Sequence, residues 1–199
     1  RFRKPDKKID HLFNDRKVNI LVVGRVVPHK KVDNAVMAFY YYKKYINPDA
    51  RLFIIGPTNE CPEYYHALLA WIRKLEVHDI YFPGEVSDEA LAAYYLASDV
   101  LLCMSEFEGF CVPLIEAMHF RIPIIAYKST AVPSTLQKSG ILLSKKDPEI
   151  IAELIDIVIT DKGIRQKIVK KQERVLEGFS QERIAQAFKD LLQPLLPQN

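Results

Sequence analysis

The sequence predicts a doubly wound, Rossmann-type α/β domain: a parallel sheet of about six strands with helices on both faces. Three observations predict it. Short apolar, β-branched runs alternate with stretches of helical periodicity along the chain. The connections between them are short. The first three strands each close on a turn that contains glycine, at Gly24, Gly56 and Gly84. Such alternation calls for parallel strands covered on both sides, with ligands bound beyond their carboxyl ends.

The elements follow in order. Val18 to Val23 reads as a buried strand. Val32, Val36, Phe39, Tyr40 and Lys43 then fall at helical spacing, and the helix from Val32 to Ile46 stops at Asn47-Pro48-Asp49. Leu52 to Ile55 is strand two, ended by Gly56-Pro57, and a helix runs from about Glu63 to Leu75. Ile80 to Phe82 is a short strand before Pro83-Gly84. Ser87 is placed to cap the next helix, with Ala90 as its third residue. Asp99 to Cys103 is strand four, followed by a polar turn and a short helix to about Phe120. Pro123 to Tyr127 and Gly140 to Leu143 are strands five and six. Three helices close the chain, near Glu149–Ile159, Ile164–Leu176 and Gln181–Leu192.

A chain of 199 residues suits one such domain with extensions: a lead-in segment over 1–17, the domain over 18–192 and a tail over 193–199. The hydrophobic share of 49% and charged share of 27% are those of a soluble globular protein. A formal net charge of +3 does not predict nucleic-acid binding, and the locally basic start Arg1–Lys8 reads as a solvated linker. Cys61, Cys103 and Cys111 lack metal-ligand spacing, so no metal is expected. Their odd number, with Cys103 inside an apolar run, favours reduced thiols and a cytoplasmic protein. No apolar stretch approaches the ~18 residues of a membrane span. The chain begins with Arg, so its start is expected to be a processing boundary.

The most informative stretch is Ser105–Met118, Ser-Glu-Phe-Glu-Gly-Phe-Cys-Val-Pro-Leu-Ile-Glu-Ala-Met. Pro113 suits the first position of a helix, where its missing N–H is not needed. Gly109 permits a tight bend or a close ligand approach. The amides of Phe110, Cys111 and Val112 then lie where a helix start leaves donors unpaired and attracts phosphate. Glu108 precedes these amides and Glu116 follows, placed in the first helical turn. Both can accept hydrogen bonds from hydroxyls of a phosphate-bearing ligand, and phosphate with polyol suggests a nucleotide sugar. Spacing alone also fits acidic residues held near a helix start by its dipole.

The turn after strand one, Gly24-Arg25-Val26-Val27-Pro28-His29-Lys30-Lys31, is the second candidate. It is neither G-x-G-x-x-G nor a Walker loop, which counts against dinucleotide binding and nucleoside-triphosphate hydrolysis. It offers Arg25 as a bidentate phosphate partner and Lys30 and Lys31 as point charges. His29 and His119 read as surface or packing residues. The run Phe39–Tyr42 reads as core and interface, and Trp71 as core. No nucleophile elbow or Cys/His pair is evident.

Gly24-Arg25 followed by Pro28-x-Lys30, with Glu-Gly-Phe-x-x-Pro-x-x-Glu-Ala-Met at Glu108–Met118, resembles glycosyltransferase family four, the group 1 retaining glycosyltransferases. The resemblance covers about residues 18 to 190. It implies one half, the carboxyl-terminal donor-binding half, of a two-domain GT-B enzyme, with the amino-terminal acceptor domain missing. Arg25 and Lys30 then match the pair that holds the donor diphosphate and steadies the leaving nucleotide. Glu108 matches the glutamate facing the transferred sugar, and Glu116 the one on the ribose. Gly24, Gly109, Phe110, Cys111 and Val112 line the phosphates, and Gly84 and Val86 lie where backbone meets the base. Catalysis would fall to Glu108, Arg25 and Lys30, with no cofactor and no metal. Lys31 and Cys111 stand where the family often has glycine. His119-Phe120-Arg121 replaces a small, glycine-rich run, and Ser129–Ser134 a Gly-Gly-x-Pro-Glu loop.

The implied function is nucleotide-sugar binding, with a UDP- or GDP-linked donor, for transfer to a glycan or lipid-linked acceptor. The isolated domain is expected to be inactive. The whole enzyme would be cytoplasmic, with peripheral association at the inner face of the membrane. The alternatives are a GT-B sugar-nucleotide epimerase or phosphorylase, and a non-catalytic Rossmann binding module.

Overall fold

The computed structural model describes residues 15–193. The basic start at 1–8 and the tail beyond Gln193 lie outside the described residues. Six parallel strands form one sheet in the order β3-β2-β1-β4-β5-β6: β1 Val18–Val23, β2 Ala50–Ile55, β3 Ile80–Gly84, β4 Val100–Cys103, β5 Ile124–Tyr127 and β6 Ile141–Leu143. This is the doubly wound order. It reverses between β1 and β4, and the crevice at that point is where such sheets bind ligands.

The helices are α1 Val32–Tyr41, α2 Pro62–Lys74, α3 Asp88–Leu96, α4 Val112–His119, α5 Val132–Leu136, α6 Pro148–Thr160, α7 Lys162–Glu177 and α8 Gln181–Leu192. Side chains alternate across the strands, and both faces are buried. Ile20, Val22, Leu52, Ile54 and Leu102 pack with α1, α2 and α6. Leu21, Phe53, Ile55, Leu101 and Ile124 pack with α3, α4 and α5. Apolar residues are therefore favoured at successive positions, which is why the strands read as largely apolar runs; the buried Asn19 and Arg51 are exceptions, with Arg51 Nε donating to Asn19 Oδ1 at 2.9 Å.

The sequence-predicted helix over 32–46 holds, but its last turn, Tyr42–Ile46, is π-helical, with the Asn47 amide donating to the Tyr42 carbonyl at 2.8 Å. Ser87 caps α3 as expected, its Oγ accepting from the Ala90 amide. The Phe39–Tyr42 run is core in part: Phe39 and Tyr42 are fully buried, while Tyr40 and Tyr41 are not. Trp71 packs against the core without being fully buried. The sequence reading missed α5, a single short helix inside the Ser129–Ser134 loop and beyond it. Asp15 ties the lead-in to β2 through two hydrogen bonds from Arg51, at 3.0 and 2.9 Å. Among the described residues, no helix is long and apolar enough to cross a membrane.

Candidate functional site

Two turns meet at the switch point. After β1, Gly24 takes φ 146°, a conformation side chains rarely adopt, and the chain crosses so close to β2 that a Cβ on Gly56 would lie 2.3 Å from the Gly24 carbonyl oxygen. Pro28–Lys30 then forms one 3-10 turn, and Lys31 enters α1 at φ 50°. This geometry sends the Lys30 side chain back over Gly24, with its Nζ 3.8 Å from where a Cβ would stand.

After β4, the chain makes the second turn and enters α4. Three expectations need correction here. Gly109 does not supply the bend: the left-handed residue is Cys111, at φ 66°. Val112 opens the helix, so Pro113 is its second residue. Glu116 is therefore the fifth residue, beyond the first turn. The helix start still exposes backbone donors, for among the described residues no group accepts from the amides of Phe110, Cys111 or Val112.

Lys30 and Glu108 face each other across the switch point. Their Nζ–Oε1 distance is 2.7 Å, with only 18% and 9% of the side chains exposed. Thr130 fixes the glutamate's backbone, its Oγ1 accepting from the Glu108 amide and donating to the Glu108 carbonyl, both at 2.8 Å. Ser129 Oγ donates to the Ser105 carbonyl at 2.7 Å and Thr135 Oγ1 to that of Phe110 at 2.6 Å. The loop after β5 thus braces the whole acidic turn, a role the sequence reading did not assign. Its only signal was the hydroxyl residues Ser129, Thr130 and Thr135, which follow β5, the strand after the motif.

The remaining site residues spread out from this pair. Arg25 lines the same crevice, but its guanidinium reaches Glu60 at 2.8 Å rather than Glu108. Lys31 and Lys146 both approach Glu106, at 3.5 and 2.8 Å, and the Lys146 ammonium holds that carboxyl below the usual range. Glu116 is buried and accepts from Tyr95 Oη at 2.8 Å. Gly84 ends β3 and Val86 follows it, and β2 separates β3 from β1, so the cluster does not include them. His29 contributes its carbonyl, which accepts from the Glu106 amide, and His119 is exposed on α4. The crevice lined by Gly24, Arg25, Lys30, Cys103, Ser105 and Glu108 has a volume of about 20 Å³, close to a single water. The site is therefore an open shelf, and a larger ligand would lie on it.

Cysteine positions without finger spacing come together here. Cys103 ends β4 and Cys111 precedes α4, which leaves their sulfurs 3.6 Å apart. The contact between the two thiols draws the Cys103 value below the ordinary thiol range and, with burial, pushes Cys111 well above it.

The family model for glycosyl transferases group 1 matches residues 3–175. N-acetyl-alpha-D-glucosaminyl L-malate synthase of Bacillus anthracis is 26% identical over 195 residues, 96% of this chain and 46% of that protein. The chain spans about half the length, or less, of the curated relatives it matches. Among solved structures, the C-terminal domain of a group 1 glycosyl transferase from Francisella tularensis is 25% identical, with TM-score 0.71 over 87% of this chain and 93% of that one. An Anabaena protein in complex with UDP and glucose shares the fold, with TM-score 0.79 at 19% identity over 96% of this chain and 53% of that one.

Proposed function

The chain belongs to the group 1 glycosyl transferases, and from that premise we propose that it is the donor-binding half of a retaining, family-four enzyme. In this reading the donor is a UDP- or GDP-linked sugar and the acceptor a glycan or lipid-linked sugar. An amino-terminal half would close over the shelf, and the whole enzyme would work in the cytoplasm at the inner membrane face.

The observation that carries the reading is the Lys30–Glu108 pair at the switch point, beside the open helix start of α4. In the resting site each neutralises the other. An arriving diphosphate would compete for Lys30 and take the amides of Phe110, Cys111 and Val112. Glu108, released, would face the sugar, where positive charge develops as the bond to phosphate breaks. Lys30, with Arg25 swung from Glu60, would offset the charge growing on the leaving nucleotide, and preorganised groups of this kind are commonly the largest catalytic contribution. Glu116 would hold the ribose. Gly84 and Val86, two strands from β1 at ~4.8 Å per strand, stand within reach of the base of an extended nucleotide.

Calorimetric titration of UDP, GDP and their sugars against this chain tests the reading. One of them should bind at one per chain, with no sugar transfer in a turnover assay. Failure of every nucleoside diphosphate to bind would overturn the donor assignment. Efficient transfer by this chain alone would overturn the need for a second half.

A further inference from the structure

We propose that Cys103, Cys111 and Glu108 form a binding site for a thiophilic divalent cation of the zinc type at the floor of the crevice. The two sulfurs and a carboxylate oxygen all lie within 4.8 Å of one another. The sulfur separation distinguishes a metal pair from a disulfide. With zinc–sulfur bonds of ~2.3 Å, tetrahedral ligands sit about 3.8 Å apart, whereas a disulfide needs about 2.05 Å. The observed 3.6 Å matches the first and would have to shrink by almost half for the second.

The scaffold around the three groups is already fixed. Cys103 is held in β4, paired with Ala126 of β5. Cys111 is pinned between the turn and α4, and is 5% exposed. Thr130 anchors the Glu108 backbone, so the carboxylate is the group that has to move to reach a zinc–oxygen bond of ~2.1 Å. The adjoining crevice has space for one water as a fourth ligand. Charge also closes: two thiolates, one carboxylate, the Lys30 ammonium and a divalent cation sum to zero. On binding, the cation displaces the two thiol protons to solvent and takes Glu108 from Lys30. Two thiolates select zinc-like ions over magnesium or calcium, which take oxygen ligands. Cation binding does not depend on the donor reading.

Cobalt(II) titration of the reduced protein provides the test, because thiolate ligands give an intense near-ultraviolet charge-transfer band. The band should saturate at one cobalt per chain and vanish on adding zinc(II). Cys103→Ser and Cys111→Ser should each lose it, and Glu108→Gln should keep it with a higher titration midpoint. Cys61→Ser should leave it unchanged. Should the serine variants unfold by circular dichroism, the unmodified protein still decides: zinc should protect two of its three thiols from an aromatic disulfide reagent, and magnesium should protect none. Absence of the band with all three thiols unprotected would overturn the proposal. So would a band that survives folded Cys103→Ser or Cys111→Ser, or one lost in Cys61→Ser.

Discussion

The turn after β1 and the turn after β4 face each other across the switch point, and both enter a helix through a non-glycine residue in the left-handed region. Lys31 takes φ 50° before α1, and Cys111 takes φ 66° before α4. The turns differ in what surrounds them. The first is pressed against backbone at the Gly24–Gly56 crossing and carries the cations. The second has open space at Gly109, is braced by hydroxyls of the next loop and carries the carboxylates and thiols. One turn is fixed by backbone packing, the other by side-chain hydrogen bonds. Substitutions should therefore act on them very differently.

The largest difference should come from the glycines. Gly56→Ala would place a Cβ 2.3 Å from the Gly24 oxygen, at a φ of 143° that alanine resists. A loss of about 3–5 kcal/mol, or no folded protein, is expected. Gly109→Ala meets no atom within 4 Å and has no positive φ, so it should shift the denaturation midpoint little. Equal effects in urea unfolding would mean the acidic turn is as tightly constrained as the first.

The second contrast lies within the cationic turn. Lys30 is largely buried against Glu108, whereas Lys31 reaches only Glu106, at 3.5 Å and at the surface. Lys30→Ala should weaken nucleoside-diphosphate binding by the roughly 1.5–3 kcal/mol of a charge-assisted contact, about one to two decades. Lys31→Ala should cost much less. Equal losses by calorimetry would show that both lysines face the phosphates.

These contrasts also mark what the sequence made legible. Strand and helix order was readable because the central strands β1, β2, β4 and β5 are buried on both faces, which leaves a largely apolar run that periodicity detects. The Glu108–Glu116 and Gly24–Lys30 motifs were readable because each lies on a strand-to-helix turn of one edge. The source of the bend was not. Gly109 is the obvious candidate by residue type, yet the chain turns at Cys111. The same blindness hid the cysteine pair: Cys103 and Cys111 become neighbours only because a strand end and a helix start converge across the turn. The direction of Arg25 depended on Glu60, thirty-five residues away, which no local pattern records. The glycines that the resemblance implies at the positions of Lys31 and Cys111 would have one physical meaning, since both positions are left-handed here.

Thr130→Val tests the brace. It removes the hydroxyl that both accepts from and donates to the Glu108 backbone, in an exposed loop where water can replace it. Stability should fall by about 1 kcal/mol. Diphosphate affinity should rise, because a Glu108 carboxylate no longer held opposite Lys30 competes less for the ammonium that the diphosphate takes. Thr130→Ser, which keeps the hydroxyl, should restore both. If the serine variant behaves like the valine one, the methyl rather than the hydroxyl matters and the second turn is held by packing after all.

The smallest effects should have opposite signs at two positions of the same geometry. Lys31→Gly removes a side chain from the left-handed region, which costs an L-residue roughly 1–2 kcal/mol. The added chain entropy of glycine takes back about 0.5–1 kcal/mol. The lost Lys31–Glu106 contact is exposed and worth little, and glycine is an acceptable helix cap. A net gain of up to about 1 kcal/mol should raise Tm by roughly 2–4 °C. Cys111→Gly relieves the same backbone but deletes a side chain that is 5% exposed and packed in the core beneath α4. Burial of even one methylene-sized group is worth ~0.8 kcal/mol, and the cavity left behind adds to the loss. Cys111→Gly should therefore come out neutral to destabilising where Lys31→Gly stabilises. Thermal melts of the two variants, taken without metal and under reducing conditions, compare them directly. Stabilisation by both would mean that the Cys111 side chain contributes nothing by packing. Destabilisation by both would mean that neither turn stores strain at its left-handed residue.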